Sequence, residues 1–344
     1  MSEWIVKSRF KYFLFPLSVF YRAIVFWRNF FYLIGFFVTK KLPTKVISVG
    51  NITLGGTGKT PAVIYLVKTL FSQGLSCAVL SRGYGRKTAG TQLVTDGFTS
   101  IKDWRNFGDE PSLMARLLPG VPIVVDSNRH RGGMFIINKF KPDIIILDDA
   151  FQHRAIERDV DIVLINSQSK KSDYKLLPYG LLREPLSNLK RADLIILTKT
   201  NLTQKARSKE IASIIQHTDF IESSLVSQKL ISKDGNENKK TKGKKIIALS
   251  AIGDHKSFFI TLENKGMVII KKATFVDHYN YKQIDIDMLV QQVKSNDIDF
   301  VVTTDKDMIK LRALNLENLQ IYSIGVFFSL NKVDEKVLID IIKK

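Results

Sequence analysis

The chain has 344 residues, of which 45% are hydrophobic and 25% are charged, as in a globular protein that can hold two domains and a large core. Its formal net charge of +19 favours an anionic partner: a nucleic acid, an anionic membrane surface or a phosphorylated substrate. The only cysteine, Cys77, excludes an internal disulfide and a cysteine zinc cluster, and fits a reducing compartment.

The first 40 residues are rich in aromatic and aliphatic side chains and strongly basic. Arg22 and Arg28 interrupt the apolar stretch, so no uncharged run reaches the roughly 18 residues that a membrane-spanning helix needs. Apolar residues recur at steps of three and four, which predicts a helix with one apolar face, kinked or started at Pro16. That face comprises Phe10, Phe13, Leu17, Phe20, Ile24, Trp27, Phe31 and Ile34.

The opposite face of this helix carries Lys7, Lys11, Ser18 and Arg22. Arg28 lies nearer the apolar face and would have to extend its guanidinium toward water. We interpret the segment as an amphipathic helix in a membrane interface, attracted to anionic lipid. Packing on the protein core, a true span and a signal peptide are the alternatives; the last lacks a compact apolar region followed by a cleavage site.

Residues 45–69 have the sequence KVISVGNITLGGTGKTPAVIYLVKT. This sequence predicts a strand, a glycine-rich turn and the start of a helix. Glycines allow backbone N–H groups to converge on a phosphate, and a helix N-terminus favours negative charge. Lys59 would neutralise the β- and γ-phosphates and the Thr60 hydroxyl would hold Mg²⁺, as in a P-loop. Thr53 occupies the position of the first glycine in that motif. The predicted nucleotide-binding residues are Gly55, Gly56, Thr57, Gly58, Lys59 and Thr60.

Six short apolar runs alternate with helical patterns over 45–197. The runs cover 45–49, 77–81, 121–125, 144–148, 160–165 and 193–197. This alternation predicts an α/β fold, with a mostly parallel, P-loop NTPase-like sheet and helices on both faces. Asp148 ends the fourth run and Asp149 follows it, where a Walker B carboxylate would reach Mg²⁺ beside the P-loop threonine. Both aspartates are candidate ligands.

Further charged and aromatic residues follow the predicted strands. Tyr84 lies in the basic glycine loop 82–86, and Arg129 and Arg131 follow the third run, where phosphates are expected. Asp109 and Glu110 form an adjacent carboxylate pair before a proline. On spacing alone, this pair fits a solvated helix N-terminus equally well.

A second α/β unit follows a polar, lysine-rich stretch over 232–245. We predict strands at 245–250, 267–275 and 300–303, and helices at 257–264, 284–294 and 334–344. His278, after a strand and beside Asp277, is the best histidine candidate for acid–base work. Residues 305–307 either line the domain interface or cap a helix. The predicted divisions are an interfacial helix (1–40), a P-loop domain (41–215), a linker or hairpin (216–245), a smaller α/β domain (246–330) and a C-terminal helix (331–344).

Taken together, the motifs resemble a known family. They are GNITLGGTGKTP (50–61), SRGYGR (81–86), GDEP (108–111), DSNRHRG (126–132), DDAFQHR (148–154), LLREP (181–185), AIG (251–253), FVDHYNY (275–281) and TTDKD (303–307). Their order is similar to that in the tetraacyldisaccharide 4'-kinase family, the lipid A kinases, over most of the chain. The sequence departs from the family pattern at Ala150, where glycine is common, and at Asn280, in a stretch that is often histidine-rich.

The resemblance implies that ATP phosphorylates the 4'-hydroxyl of a tetraacylated glucosamine disaccharide 1-phosphate in lipid A biosynthesis. It implies ATP and Mg²⁺ as cofactors, and a peripheral or monotopic location at the cytoplasmic face of the bacterial inner membrane. Asp109 would take the acceptor proton, paired with His278 when the two domains close, and Lys59 would be the third catalytic residue. Tyr84, Arg129, Arg131, Arg183 and Glu184 are expected near the phosphates or the acceptor.

Two other classes of protein compete with this interpretation. A membrane-associated P-loop ATPase would couple hydrolysis to a partner without a sugar lipid and would not need His278. A nucleic-acid-binding NTPase is compatible with the net charge, but the basic excess is concentrated at the N-terminus and in 239–245 without a nucleic-acid module. We therefore expect no nucleic-acid partner.

Overall fold

The computed structural model describes residues 13–101, 103–215, 219–295 and 297–344. The helices of these residues are α1 (Phe15–Leu33), α2 (Lys59–Ser72), α3 (Asp109–Leu117), α4 (Arg129–Phe140), α5 (Lys205–Ile214), α6 (His255–Asn264), α7 (Gln283–Ser295), α8 (Asp305–Leu311) and α9 (Lys332–Lys343). The strands are β1 (Lys45–Asn51), β2 (Cys77–Ser81), β3 (Gln92–Thr95), β4 (Ile123–Val125), β5 (Ile144–Asp148), β6 (Val160–Asn166), β7 (Leu194–Thr198), β8 (Phe220–Ser232), β9 (Glu237–Asn238), β10 (Lys245–Ser250), β11 (Val268–Thr274), β12 (Phe300–Thr304) and β13 (Ile321–Leu330).

The strands form one 13-stranded sheet in the order β11-β10-β12-β13-β8-β7-β6-β1-β5-β2-β4-β3, with β9 beside β8. Neighbours pair in parallel from β4 to β8 and again from β11 to β13. Strand β3 is antiparallel to β4. The predicted mostly parallel sheet is confirmed, and each of the six predicted runs overlaps a strand.

Strand β8 joins the two halves of the sheet. Its first residues, 220–222, pair in parallel with β7, whereas 223–232 pair antiparallel with β13. The segment predicted as a linker or hairpin therefore holds a 13-residue strand, which ends in a hairpin with β9. We call the β1–β7 side the first half and the β10–β13 side the second half.

Alternating strand residues fill cores on both faces of the sheet. In the first half, Ile47 and Val49 belong to one cluster, and Val46 belongs to a second on the opposite face. The second half has its own clusters around Leu249 and around Ala248. The C-terminal helix α9 returns to the first half, because its Leu338 and Ile342 lie in the same cluster as Ile47.

Helix α1 contacts the first half through its polar side. The Ser18 hydroxyl donates to the Leu176 carbonyl at 3.0 Å, and the Tyr21 hydroxyl donates to the Arg183 carbonyl at 2.8 Å. We predicted from the sequence that Arg28 extends toward water, and this is wrong, because its guanidinium pairs with buried Glu184 at 2.6 Å. Helix α1 is therefore docked on the protein through hydrogen bonds and an ion pair.

The predicted apolar face of α1 points away from the protein. Phe13, Leu17, Phe20, Ile24 and Trp27 are all more than half exposed. The helix begins at Phe15, with Pro16 in its first turn, as predicted. Phe10, Lys7 and Lys11 lie outside the described residues. No helix in the described ranges is long and apolar enough to cross a membrane.

Candidate active site

The glycine-rich turn connects β1 to α2. Gly55 and Gly58 have φ values of +104° and +85°, a conformation that glycine adopts without strain. Lys59 is the first residue of α2, so the turn ends at the N-terminus of a helix. The Asn51 amide donates to the Thr53 carbonyl at 2.7 Å and to the Thr57 hydroxyl at 3.1 Å, which holds the turn closed. This arrangement is a phosphate-binding loop.

Thr53 occupies its glycine position without strain. It forms an antiparallel bridge with Leu182, and the next amide, Leu54 N–H, donates to the Leu181 carbonyl at 2.8 Å. Thr53 is not among the residues with positive φ. Because the backbone is paired here, no glycine is required.

Asp148 and Asp149 lie at the carboxyl end of β5, beside β1. The Ser81 hydroxyl donates to Asp148 Oδ2 at 2.9 Å, while buried Oδ1 has no partner among the described residues. Burial, together with the negative charges of Glu110 and Asp149, raises the pKa of Asp148 to about 7. Asp148 Oδ1 is therefore available to bind a cation next to the P-loop.

Asp149 faces two cations. Its Oδ1 lies 3.7 Å from Lys59 Nζ and 3.0 Å from Arg183 Nη1. Burial acts to raise the pKa of Asp149, but Lys59 and Arg183 outweigh it and lower the pKa. Its φ of +51° is unusual for a side-chain-bearing residue, and its N–H donates to the Val49 carbonyl at 2.9 Å.

The unpartnered oxygen of Asp148 fits a magnesium ion. In the described part of the chain, no group of three or more His, Cys, Asp or Glu side chains is arranged for a metal. Mg²⁺ usually takes only one or two carboxylates, with phosphate and water completing its shell. Asp148, with the Thr60 hydroxyl at the start of α2, suits that mode of binding.

The structure brings Asp109 and His278 together from opposite halves. Asp109 begins α3 and its side chain is 3% exposed, and His278 Nδ1 lies 3.0 Å from Oδ2 and 3.1 Å from Oδ1. Burial acts to lower the pKa of His278, but the hydrogen bond with Asp109 and the negative charges of Asp109 and Asp277 together outweigh it and raise the pKa. His278 has a φ of +62°, and the Tyr84 ring lies 5.1 Å from its ring.

Two lysines of α8 surround the Asp109 carboxylate. Lys306 Nζ lies 3.8 Å from Asp109 Oδ2, 3.0 Å from Glu110 Oε1 and 3.5 Å from Asp277 Oδ1. Lys310 Nζ, fully buried, also lies 3.8 Å from Asp109 Oδ2. Burial acts to raise the pKa of Asp109, but Lys306, His278 and Lys310 outweigh it and hold the pKa at about 2. The TTDKD motif signalled this position, but its role stayed open in the sequence.

The guanidinium groups of both arginines in the DSNRHRG motif form hydrogen bonds within the protein. Arg129 is 2% exposed and donates to the carbonyls of Asp126 at 2.7 Å and Asp148 at 3.3 Å. Arg131 is bidentate on Asp126, with distances of 2.8 and 2.9 Å. Arg129 therefore lies at the end of β5 beside the aspartates, whereas Arg131 pairs with Asp126.

Arg183 and Glu184 are neighbours with different surroundings. The Arg183 guanidinium pairs with Asp149 at 3.0 Å. Glu184 is fully buried, and its two oxygens accept from Arg28 and Arg191, each at 2.6 Å. The structure therefore places Glu184 beneath α1, with its carboxylate already paired.

Sequence reasoning missed a contact between the P-loop and the second half. Lys199, 3% exposed, follows β7 and donates to the Gly56 carbonyl at 2.6 Å and to Asp254, which caps α6. A Cβ on Gly56 would lie 3.1 Å from that of Asp254, so the two loops are closely packed. A basic residue directly after a strand was the available signal.

The parallel sheet, the phosphate-binding loop and the adjacent aspartates define a P-loop nucleotide-binding protein. The model of the family described as tetraacyldisaccharide-1-P 4'-kinase matches residues 10–344. The chain therefore belongs to the tetraacyldisaccharide 4'-kinase family.

Comparison with individual relatives supports this family membership. The chain is 39% identical to the tetraacyldisaccharide 4'-kinase of Chlorobaculum parvum over 303 residues, covering 86% of this chain and 83% of that one. It is 36% identical to that of Halothermothrix orenii, covering 92% and 89%. A crystal structure of the "apo" form of LpxK from Aquifex aeolicus in complex with ATP matches with a TM-score of 0.74 and 34% identity, covering 96% of this chain and 99% of that one.

Proposed function

We propose that the protein transfers the γ-phosphoryl group of ATP to the 4'-hydroxyl of a tetraacylated glucosamine disaccharide 1-phosphate. Family membership supports the reaction and the substrate class. The observation that carries the chemistry is the pairing of buried Asp109 with half-buried His278, formed by the two halves of the sheet. A P-loop ATPase that only hydrolyses ATP would not require a carboxylate–histidine pair in addition to its P-loop.

Different residues of the site bind the phosphates and the metal ion in this proposal. The P-loop amides of residues 55–60 and the Lys59 ammonium bind the β- and γ-phosphates. Thr60 and Asp148 would hold Mg²⁺, with Asp149 oriented by Lys59 and Arg183; when bound, the ion neutralises charge on the transferring phosphoryl group. The remaining work is to position the acceptor and to accept its proton.

Asp109 is the base in this proposal. The acceptor oxygen forms a bond to the γ-phosphorus, the bond to the β–γ bridging oxygen breaks, ADP leaves, and the hydroxyl proton passes to the Asp109 carboxylate. His278 fixes the orientation of that carboxylate through Nδ1. Tyr84 lies against His278 and is largely exposed, which suits contact with the acceptor.

The lipid acceptor accounts for the exposed face of α1. We propose that Phe13, Leu17, Phe20 and Trp27 enter the apolar boundary of a bilayer at the cytoplasmic face of the bacterial inner membrane, with the basic excess favouring anionic lipid. The protein would then be held peripherally or monotopically, close to its acceptor.

The test is to follow label from the γ-phosphate of ATP in detergent micelles, with and without the tetraacylated disaccharide 1-phosphate. We expect label in the lipid, and its loss in Lys59→Ala and Asp109→Ala. Steady release of inorganic phosphate with no labelled lipid would contradict the proposal and favour an ATPase.

A further inference from the structure

The LLREP segment (Leu181–Pro185) lies between the P-loop and helix α1. On the P-loop side, its backbone pairs with the chain that enters the turn: Leu54 N–H donates to the Leu181 carbonyl, and Arg183 N–H donates to the Ile52 carbonyl, both at 2.8 Å. A displacement of this segment therefore moves the start of the P-loop with it.

The side chain of Arg183 continues this connection into the site. Its Nη1 lies 3.0 and 3.2 Å from the two oxygens of Asp149, which is also 3.7 Å from the Lys59 ammonium. Arg183 is partly shielded, with its side chain 23% exposed. It therefore shares Asp149 with the lysine that binds the phosphates.

The other side of the LLREP segment is held by α1. The Tyr21 hydroxyl donates to the carbonyl of Arg183 itself, at 2.8 Å. Glu184 Oε1 accepts from Arg28 Nη2 at 2.6 Å, while Oε2 accepts from Asn188 at 2.7 Å and from Arg191 at 2.6 Å. Removing the Arg28 guanidinium would leave one oxygen of a fully buried carboxylate unpaired, which is costly inside a protein.

We propose that Tyr21 and Arg28 are positioning residues for the nucleotide site, acting through Arg183 and Glu184, so that α1 orients the phosphate-binding residues as well as contacting the membrane. The inference rests on the proposed nucleotide site, but it does not require the lipid acceptor. It assigns α1 a role inside the protein that an exposed apolar face alone does not give.

The test is the dissociation constant for Mg²⁺-ATP, measured by calorimetry in detergent micelles without lipid acceptor. Tyr21→Phe removes one hydroxyl and keeps the ring, and Arg28→Met removes one charge. We expect each to weaken ATP binding about two- to tenfold, the range of a lost hydrogen bond. Arg22→Met removes the same charge from an exposed position of the same helix and should bind ATP as the wild type does.

A double-mutant cycle shows whether Tyr21 acts through Arg183. If it does, adding Tyr21→Phe to Arg183→Met should weaken ATP binding less than it does in the wild-type background. Wild-type ATP affinity in both Tyr21→Phe and Arg28→Met would overturn the inference. Should Arg28→Met fail to fold, the near-isosteric Tyr21→Phe decides alone. Weaker ATP binding in a protein that transfers no label to lipid would keep the inference and reject the proposed acceptor.

Discussion

The two halves of the sheet contribute differently to the site. The first half carries the P-loop, Asp148, Asp149 and Arg183, which are the proposed phosphate- and metal-site residues. The second half adds His278 and Lys306, which reach the Asp109 carboxylate. In the proposed function, nucleotide binding therefore depends largely on one half, whereas phosphoryl transfer requires both.

Ion pairs join the two halves at two places, and the half that supplies the cation differs between them. At the P-loop, the first half supplies the cation, Lys199, and the second half supplies Asp254. At the acid–base site, the first half supplies Asp109 and Glu110, and the second half supplies Lys306. Sliding one half past the other would bring like charges together, so the charges favour one relative position.

The largest expected effect separates transfer from binding. Asp109→Asn keeps the size of the side chain but removes the proton acceptor, so kcat should fall by about 10²- to 10⁴-fold. The dissociation constant for ATP should stay at the wild-type value, because Asp109 is not part of the first-half phosphate site. Single-turnover label transfer and calorimetry measure the two quantities. Loss of ATP affinity in this variant would contradict the division between the halves.

Lys59→Met should damage both quantities. It removes the ammonium that faces Asp149 and the phosphates, so ATP should bind more weakly and transfer should slow by about 10²- to 10³-fold, the scale of one lost charge-stabilising contact. Lys68→Met, an exposed change on the same helix, is the control and should leave both unchanged. Normal ATP affinity in Lys59→Met would place the phosphates elsewhere.

Lys306→Met tests the strength of the contact between the halves. Its side chain is 15% exposed and its ammonium faces three carboxylates, so its removal should lower the free energy of unfolding by about 3 kcal/mol. Lys244→Met breaks a surface pair with Asp299, 40% exposed at the lysine, and should cost less than about 1 kcal/mol. Denaturant unfolding compares the two, and equal losses would show that the interface charges are screened like surface charges.

The smallest effect is a pH dependence of the His278 contribution. The pKa of His278 is raised in the folded protein, so its protonated form stabilises the fold below the unfolded pKa of about 6.5. That contribution is lost as pH rises through the folded pKa. The difference in free energy of unfolding between wild type and His278→Gln should therefore be larger at about pH 6 than at about pH 9. A difference that grows with pH would contradict the ion pair.

Local sequence patterns predicted the elements that carry the chemistry. The strand before Gly50, the helix after Gly58 and the apolar run before Asp148 were recognisable because propensity, periodicity and burial agree there. Strand β8 was missed because its serines, lysine and glutamate dilute the alternation of a half-buried strand. Strand β13, Ile321–Leu330, was also not predicted.

Contacts between distant residues were less predictable. The approach of Asp109 to His278 came from the family resemblance and not from spacing. The pairing of Arg28 with Glu184 joins residues 156 positions apart, and neither local pattern contains a sign of the other. Because Glu184 is distant in sequence, we expected the Arg28 guanidinium to extend toward water, whereas it pairs with this buried carboxylate.

Strand β8 has a mechanical consequence for substrate entry. Because one strand is hydrogen-bonded to β7 at its start and to β13 along the rest, the halves are not two bodies on a flexible tether. Entry of the proposed acceptor between Asp109 and His278 therefore requires twisting of a continuous sheet or movement of loops such as 277–281. Amides in the middle of β8 should remain protected from hydrogen exchange during this entry.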